Sequence, residues 1–205
     1  MFRHQIIAIS MALLLILLSG CSNAQVNSSS TNSSYASTVS EENAPTSNSL
    51  QKLTEQSIHD RYKTADSIYF GDYKNIDHIG YLAFSYRNDQ SLFYGFTVAE
   101  QNGNQWTLSY YEDFPNDTTQ KVSYAQFIGT YPDTEKRTFH INIGYINDKQ
   151  ISQVILNNPH SNSKTLQIAA DQHVFLDIDN DASEALLKIE CKSDDGKTIY
   201  QKTSE

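Results

Sequence analysis

From residue 79 to residue 201 apolar residues keep recurring at every second position, and nothing else in this chain restricts its fold as much. Phe139, Ile141, Ile143 and Tyr145 alternate with His140, Asn142 and Gly144. Trp106, Leu108 and Tyr110 alternate with Thr107, Ser109 and Tyr111. Successive side chains of an extended strand point to opposite faces, so this period puts one face on a core. A helix, turning once in about 3.6 residues, would scatter the same side chains around its circumference.

The strands follow from that period and from the turns between them. Ile79–Tyr86 and Leu92–Ala99 carry aromatics on both faces, which fits paired central strands joined across Arg87-Asn88-Asp89-Gln90. Asn102-Gly103 is a hairpin signal ahead of the Trp106 strand. Val122–Thr130 is a further strand. Asn147-Asp148-Lys149 turns the Phe139 strand toward Ile151–Leu156, and Leu166 with Ile168 marks a short strand. Val174, Leu176 and Ile178 follow, then Leu187–Lys192, and Asp194-Asp195-Gly196 makes the last hairpin before Thr198–Gln201. About ten strands at this spacing predict a mainly β protein of antiparallel, sandwich-like sheets. No period of 20–50 residues repeats, so a propeller or solenoid is not expected.

One helix leads the strands. Leu50, Leu53, Ile58 and Tyr62 fall near one face of a predicted helix over Leu50–Ala65, with Ser49 as its N-cap. Before it, Ser22–Ser49 is nearly all Ser, Asn, Thr, Ala and Gln and has almost nothing to bury, so it is expected to be a disordered tether reaching about 30 Å. The domains are then a leader over 1–20, a tether over 21–49 and one β-rich domain over 50–205.

The leader fixes where such a chain would reside. Met1–Gln5 carries one cation, Arg3, and Ile6–Leu18 is an uncharged apolar run, well short of the roughly 20 residues of a bilayer span. Leu18-Ser19-Gly20-Cys21 closes it and resembles the lipobox of bacterial lipoproteins. That resemblance implies cleavage between Gly20 and Cys21, a lipid on the Cys21 thiol, and attachment to the extracytoplasmic face of the cell membrane. Two acyl chains anchor stably where one holds only marginally. The tether and the Lys-, Asn-, Ile- and Tyr-rich body suit a Gram-positive bacterium of low GC content. The last 70 or so residues resemble the tail of small uncharacterised lipoproteins of such bacteria, a likeness of turn and core residues that implies no activity.

Charge narrows the partners. The formal charge is −9 and becomes about −10 when Arg3 leaves with the leader, which argues against nucleic acid and against an electrostatic grip on anionic lipid. With Cys21 lipidated, Cys191 has no disulfide partner. It alternates with Lys188, Glu190 and Lys192 beside Leu187 and Ile189, so it reads as a small buried hydrophobe, with a reactive thiol as the other reading.

Several residues are candidates for chemistry. Asp177, Asp179 and Asp181, followed by Ser183 and Glu184, place acidic oxygens at alternate positions and would suit Ca²⁺; Ala182 and Lys188 depart from the EF-hand pattern, and a polar turn is the alternative. The histidines His59, His78, His140, His160 and His173 show no short zinc-ligand spacing. Ser161-Asn162-Ser163-Lys164 contains Ser-x-x-Lys, but it follows Pro159 in a polar stretch that reads as a solvated turn. Glu112 and Asp113, near Asp117, are a carboxylate pair only if a strand end can aim neighbours together. There is no Gly-x-Ser-x-Gly elbow and no Gly-rich phosphate loop. Of 13 tyrosines, Tyr73, Tyr111 and Tyr131 fall at polar or loop positions and are the candidates for a recognition surface.

The expected function is therefore that of a membrane-anchored lipoprotein whose domain binds an envelope protein or a cell-wall glycan without catalysis. A wall or glycan hydrolase is the second expectation, and a small-ligand or Ca²⁺-dependent binder the third. No catalytic residue is assigned.

Overall fold

The computed structural model describes residues 44–131, 138–158, 162–179 and 188–203. Within them are one helix and twelve strands. The chain begins with β1 (Thr46–Ser47) and α1 (Leu50–Arg61), then β2 (Ala65–Ile76), β3 (Ile79–Asn88), β4 (Ser91–Asn102) and β5 (Gln105–Pro115). These strands form a five-stranded sheet in the order β1-β5-β4-β3-β2. Next come β6 (Val122–Thr130) and β7 (Thr138–Ile146), which make a three-stranded sheet with β10 (Val174–Asp179) in the order β10-β7-β6. The last sheet is β12-β11-β8-β9, from β8 (Gln153–Asn157), β9 (Lys164–Gln167), β11 (Lys188–Lys192) and β12 (Thr198–Thr203). Every pairing is antiparallel.

The three sheets stack, with α1 outside the first. Leu50, Leu53 and Ile58 of α1 pack on Leu82, Phe84, Tyr86, Ala99, Trp106 and Leu108 of the five-stranded sheet. The opposite face of that sheet supplies Tyr81, Ala83, Tyr94, Phe96, Val98 and Tyr110, which meet Phe127, Phe139, Ile141, Ile143, Val174 and Leu176 of the middle sheet. On the far face of the middle sheet, Val122, Ile146 and Phe175 meet Val154, Leu156, Ile189 and Cys191 of the third. The mainly β, antiparallel, sandwich-like architecture expected from the period of two is what the chain adopts.

The turns explain much of the register. Asp89, Gly103 and Gly196 take positive φ in three of the turns that the sequence marks. A fourth hairpin joins β2 to β3 through Asp77 (φ 49°) and His78 (φ 66°), a pair of left-handed residues without glycine. Gly144 lies opposite Phe175, whose ring fills the space a Cβ would take, 2.5 Å from its position.

Two boundaries differ from expectation. The helix ends at Arg61, where Tyr62 caps it with its N–H on the Ile58 carbonyl, and Ala65 already opens β2. Ser49 does cap the other end, accepting from the Lys52 N–H. The folded body also reaches back into the predicted tether, since Thr46 and Ser47 pair with Thr107 and Trp106, and Leu108 donates to the Pro45 carbonyl. The turn at Asn147–Lys149 carries the chain from one sheet to the next: β7 stays in the middle sheet while β8 joins the third.

Candidate functional site

The far face of the middle sheet carries the most concentrated buried polarity among the described residues. Its cross-strand rows form a gradient. Val122 opposite Ile146 is apolar, and Phe175, Gly144 and Tyr124 form the next row. Then come Asp177, Asn142 and Gln126, and finally Asp179, His140 and Ile128. Residues directly opposite one another in an antiparallel pair hold their Cβ atoms about 5 Å apart, so each row is a set of contacts. His140, Asn142 and Asp177 are all buried.

Each buried polar group here has a partner. Asn142 Oδ1 accepts from the Tyr124 hydroxyl at 2.8 Å and from Gln126 Nε2 at 3.2 Å. Asp177, its side chain 4 % exposed, meets two lysines. Lys74 reaches it from β2 of the first sheet, Nζ to Oδ1 at 3.5 Å, and Lys164 reaches the same oxygen from β9 of the third. The cluster therefore ties all three sheets together. Burial, with the Asp177 charge next in weight, holds the Tyr124 hydroxyl well above its ordinary pKa, so it stays a proton donor. Burial lowers the His140 pKa, against the opposing pull of Asp179.

A second buried carboxylate lies beneath α1. Asp113 Oδ2 accepts from the hydroxyls of Tyr86 and Tyr111, each at 2.9 Å, and pairs with Arg61 Nη1 at 3.5 Å. The Arg61 guanidinium also covers the Tyr111 ring, 4.9 Å from its centre. Glu112 is the adjacent residue of an extended strand and projects to the opposite face, so the two carboxylates do not act as a pair. Asp117 is exposed and caps its own turn, accepting from the Thr119 N–H and hydroxyl.

The expected tyrosine surface does not form as a unit. Tyr73 is 51 % exposed on β2. Tyr111 is half-buried, stacked on Phe84 at 5.3 Å, with its hydroxyl on Asp113. Tyr131 is buried: its ring packs on Phe139 at 5.0 Å and its hydroxyl accepts from Tyr81. A tyrosine at a strand end can turn inward as easily as outward, and Tyr131 fills the edge of the aromatic core.

Tyr69, 37 % exposed, lies on the same strand as Tyr73, but a bulge between them turns the two to opposite faces, Tyr69 opposite Ser85 and Tyr73 opposite Leu82. The Tyr69 ring meets His173 edge-on at 6.3 Å, and His173 stacks on Tyr145 at 5.9 Å. Asp72 anchors this rim. Its Oδ2 accepts from the Leu176 N–H and its Oδ1 from Gln172 Nε2, so β2 is fastened to the free edge of β10. Tyr69 escaped the sequence reading because bulges in β2 break its alternation.

Other expected residues fall as follows. Asp177 and Asp179 share a face of β10, while Asp181, Ser183 and Glu184 lie outside the described residues, as do Cys21, Gly20, His160 and Ser161. His59 is in the last turn of α1 and His78 in the β2–β3 turn. Cys191 is fully buried and its thiol is pushed up to about 12, chiefly by burial and then by Glu190, which makes it inert at neutral pH. An open cavity of about 580 Å³ lies between Ile151, Ile168 and Ile199 on its floor and Lys149, Asp194 and Lys197 on its rim.

No family model, no curated protein and no solved structure matches this chain.

Proposed function

We propose that this chain is a lipid-anchored binding module on the extracytoplasmic face of a Gram-positive cell membrane, and that its ligand is a glycan of the cell wall. The anchoring rests on the leader and on Leu18-Ser19-Gly20-Cys21, and the Ser/Asn-rich tether gives the domain reach into a wall. The observation that carries the binding role is the rim of β2. Tyr69 and Tyr73 are the exposed large apolar side chains among the described residues, and both sit on the edge strand β2, Tyr69 on the face toward His173 and Tyr73 on the face toward α1. Aromatic rings with a polar tip suit ligands that are apolar on one side and wet on the other, which describes a sugar ring. The strip is narrow, whereas a stable protein interface buries about 800 Å² on each partner. The acidic charge of the chain keeps nucleic acid out of this reading.

Two measurements test it. Replacing Cys21→Ala releases the protein from the membrane fraction; continued co-fractionation overturns the anchor. Replacing Tyr69→Ala and Tyr73→Ala together weakens sedimentation with purified wall material at least tenfold, the equivalent of about 1.4 kcal/mol. Unchanged sedimentation of that variant, with a single protein captured by in-cell cross-linking, would replace the glycan with an envelope protein.

A further inference from the structure

We propose that Lys164 and Asp177 become joined by an intramolecular amide bond that fastens the third sheet to the middle one. The two lysines at Asp177 differ in how they meet it. Lys74 Nζ donates a hydrogen bond to Oδ1 at 3.5 Å. Lys164 Nζ touches the same oxygen outside hydrogen-bonding geometry. An ordinary ion pair has an N–H aimed at the oxygen. A nitrogen that sits beside the oxygen of a carboxyl group occupies the place of an amide nitrogen.

The surroundings favour the reaction. The Asp177 side chain is 4 % exposed, so bulk water is kept from the carboxyl carbon, while Lys164, half exposed on the edge strand β9, reaches in to it from outside. Both reacting residues are fixed by strands, Lys164 opposite Leu156 in β9 and Asp177 opposite Asn142 in β10. Groups held this way react as though at about 10⁵–10⁸ M, which drives a condensation that free amines and acids do not complete in water. Proton transfer from Nζ to Oδ2 leaves an amine and a carboxylic acid. The Nζ lone pair then attacks Cγ and the N–C bond forms. The Cγ–Oδ2 bond breaks, and the hydroxyl departs with the second Nζ proton as water. Oδ1 remains as the amide carbonyl. Lys74, already bonded to Oδ1, stabilises the negative charge that builds there and emerges unchanged. No oxidant or cofactor enters the balance.

Tryptic mapping of the full lipoprotein, purified from membranes, decides the matter. Acylated Lys164 resists trypsin, so residues 150–188 are recovered as one piece, lighter than its sequence by one water. Cutting that piece before Asp171 leaves the two halves joined. Lys164→Arg keeps the positive charge and the fold but restores cleavage after position 164 at full mass, and Asp177→Ala does the same. Lys74→Met lowers the linked fraction. Recovery of separate peptides 150–164 and 165–188 from the wild-type chain, both at full mass, overturns the proposal.

Discussion

The two faces of the middle sheet bury similar strands in different ways. Toward the first sheet, rings fill the space: Phe96 lies 4.9 Å from Phe127, Tyr110 5.5 Å from Phe139, and Phe127 6.0 Å from Phe139. Toward the third sheet the same three strands present Val122, Ile146 and Phe175 at one end and Asn142, His140 and Asp177 at the other. The first interface is held by aromatic packing, which is strong and tolerates little change in shape. The second divides its work between aliphatic packing and a polar cluster that fixes how the sheets sit. Buried polar groups add less net stability than apolar ones of the same size, but they penalise every arrangement that leaves them unpaired.

The largest expected effect comes from the aromatic side. Phe127 is 1 % exposed and touches rings from both sheets. Truncating Phe127→Ala is expected to cost about 4 kcal/mol, against about 3 kcal/mol for Leu156→Ala on the other interface. Urea unfolding of both variants measures the difference. A larger loss at Leu156 would break the comparison, because it would make the third sheet the principal anchor of the fold.

A smaller effect is expected from the polar end. Asn142→Leu keeps the volume but removes the oxygen that serves Tyr124 and Gln126. Leaving the buried Tyr124 hydroxyl without an acceptor costs about 1–3 kcal/mol. The double variant with Tyr124→Phe is expected to recover most of that loss, since it removes the unpaired donor as well. Additive losses in the double variant would mean that the two side chains act independently of their hydrogen bond.

Much of this fold was readable from alternation, and the limits of that reading are physical. The period of two placed β3 to β12 because apolar residues recur along each of them, on both faces in β3 and β4, and turns of recognisable chemistry separate several of them. It could not reveal that His140, Asn142 and Asp177 are buried. Alternation separates the two faces of a strand but says nothing about what covers the more polar one, and here a whole third sheet does. β2 was missed for a different reason. A left-handed residue at Ser67 and register shifts before Tyr69 and Tyr73 disrupt its period, and its turn through Asp77 and His78 lacks the usual glycine. The rim tyrosine Tyr69 went unseen with it. Asp177 was singled out from its acidic neighbours, whereas its partners, Lys74 from 103 residues away and Lys164 from the strand before it, meet it only because strands of two different sheets approach β10.

The finest distinction between the two faces is one of acid sensitivity. The aromatic interface contains tyrosines, which do not titrate between pH 5 and 7, while the polar one contains His140. Burial depresses the His140 pKa below its ordinary 6.5, although Asp179 pulls the other way. A depressed pKa means that the unfolded chain takes up a proton at a pH where the folded chain does not. The His140 contribution is therefore intact above about 6.5 and is lost as the pH falls from there through the folded pKa, below which no further loss comes from this residue. His140→Gln removes that term and keeps a side chain able to hydrogen-bond. Melting curves at pH 7 and pH 5 are expected to show a larger fall in Tm for the wild type than for the variant, with acid losses at carboxylates common to both cancelling in the comparison. Equal falls would mean that His140 is protonated as readily in the fold as out of it, and that the polar end of the interface admits water freely.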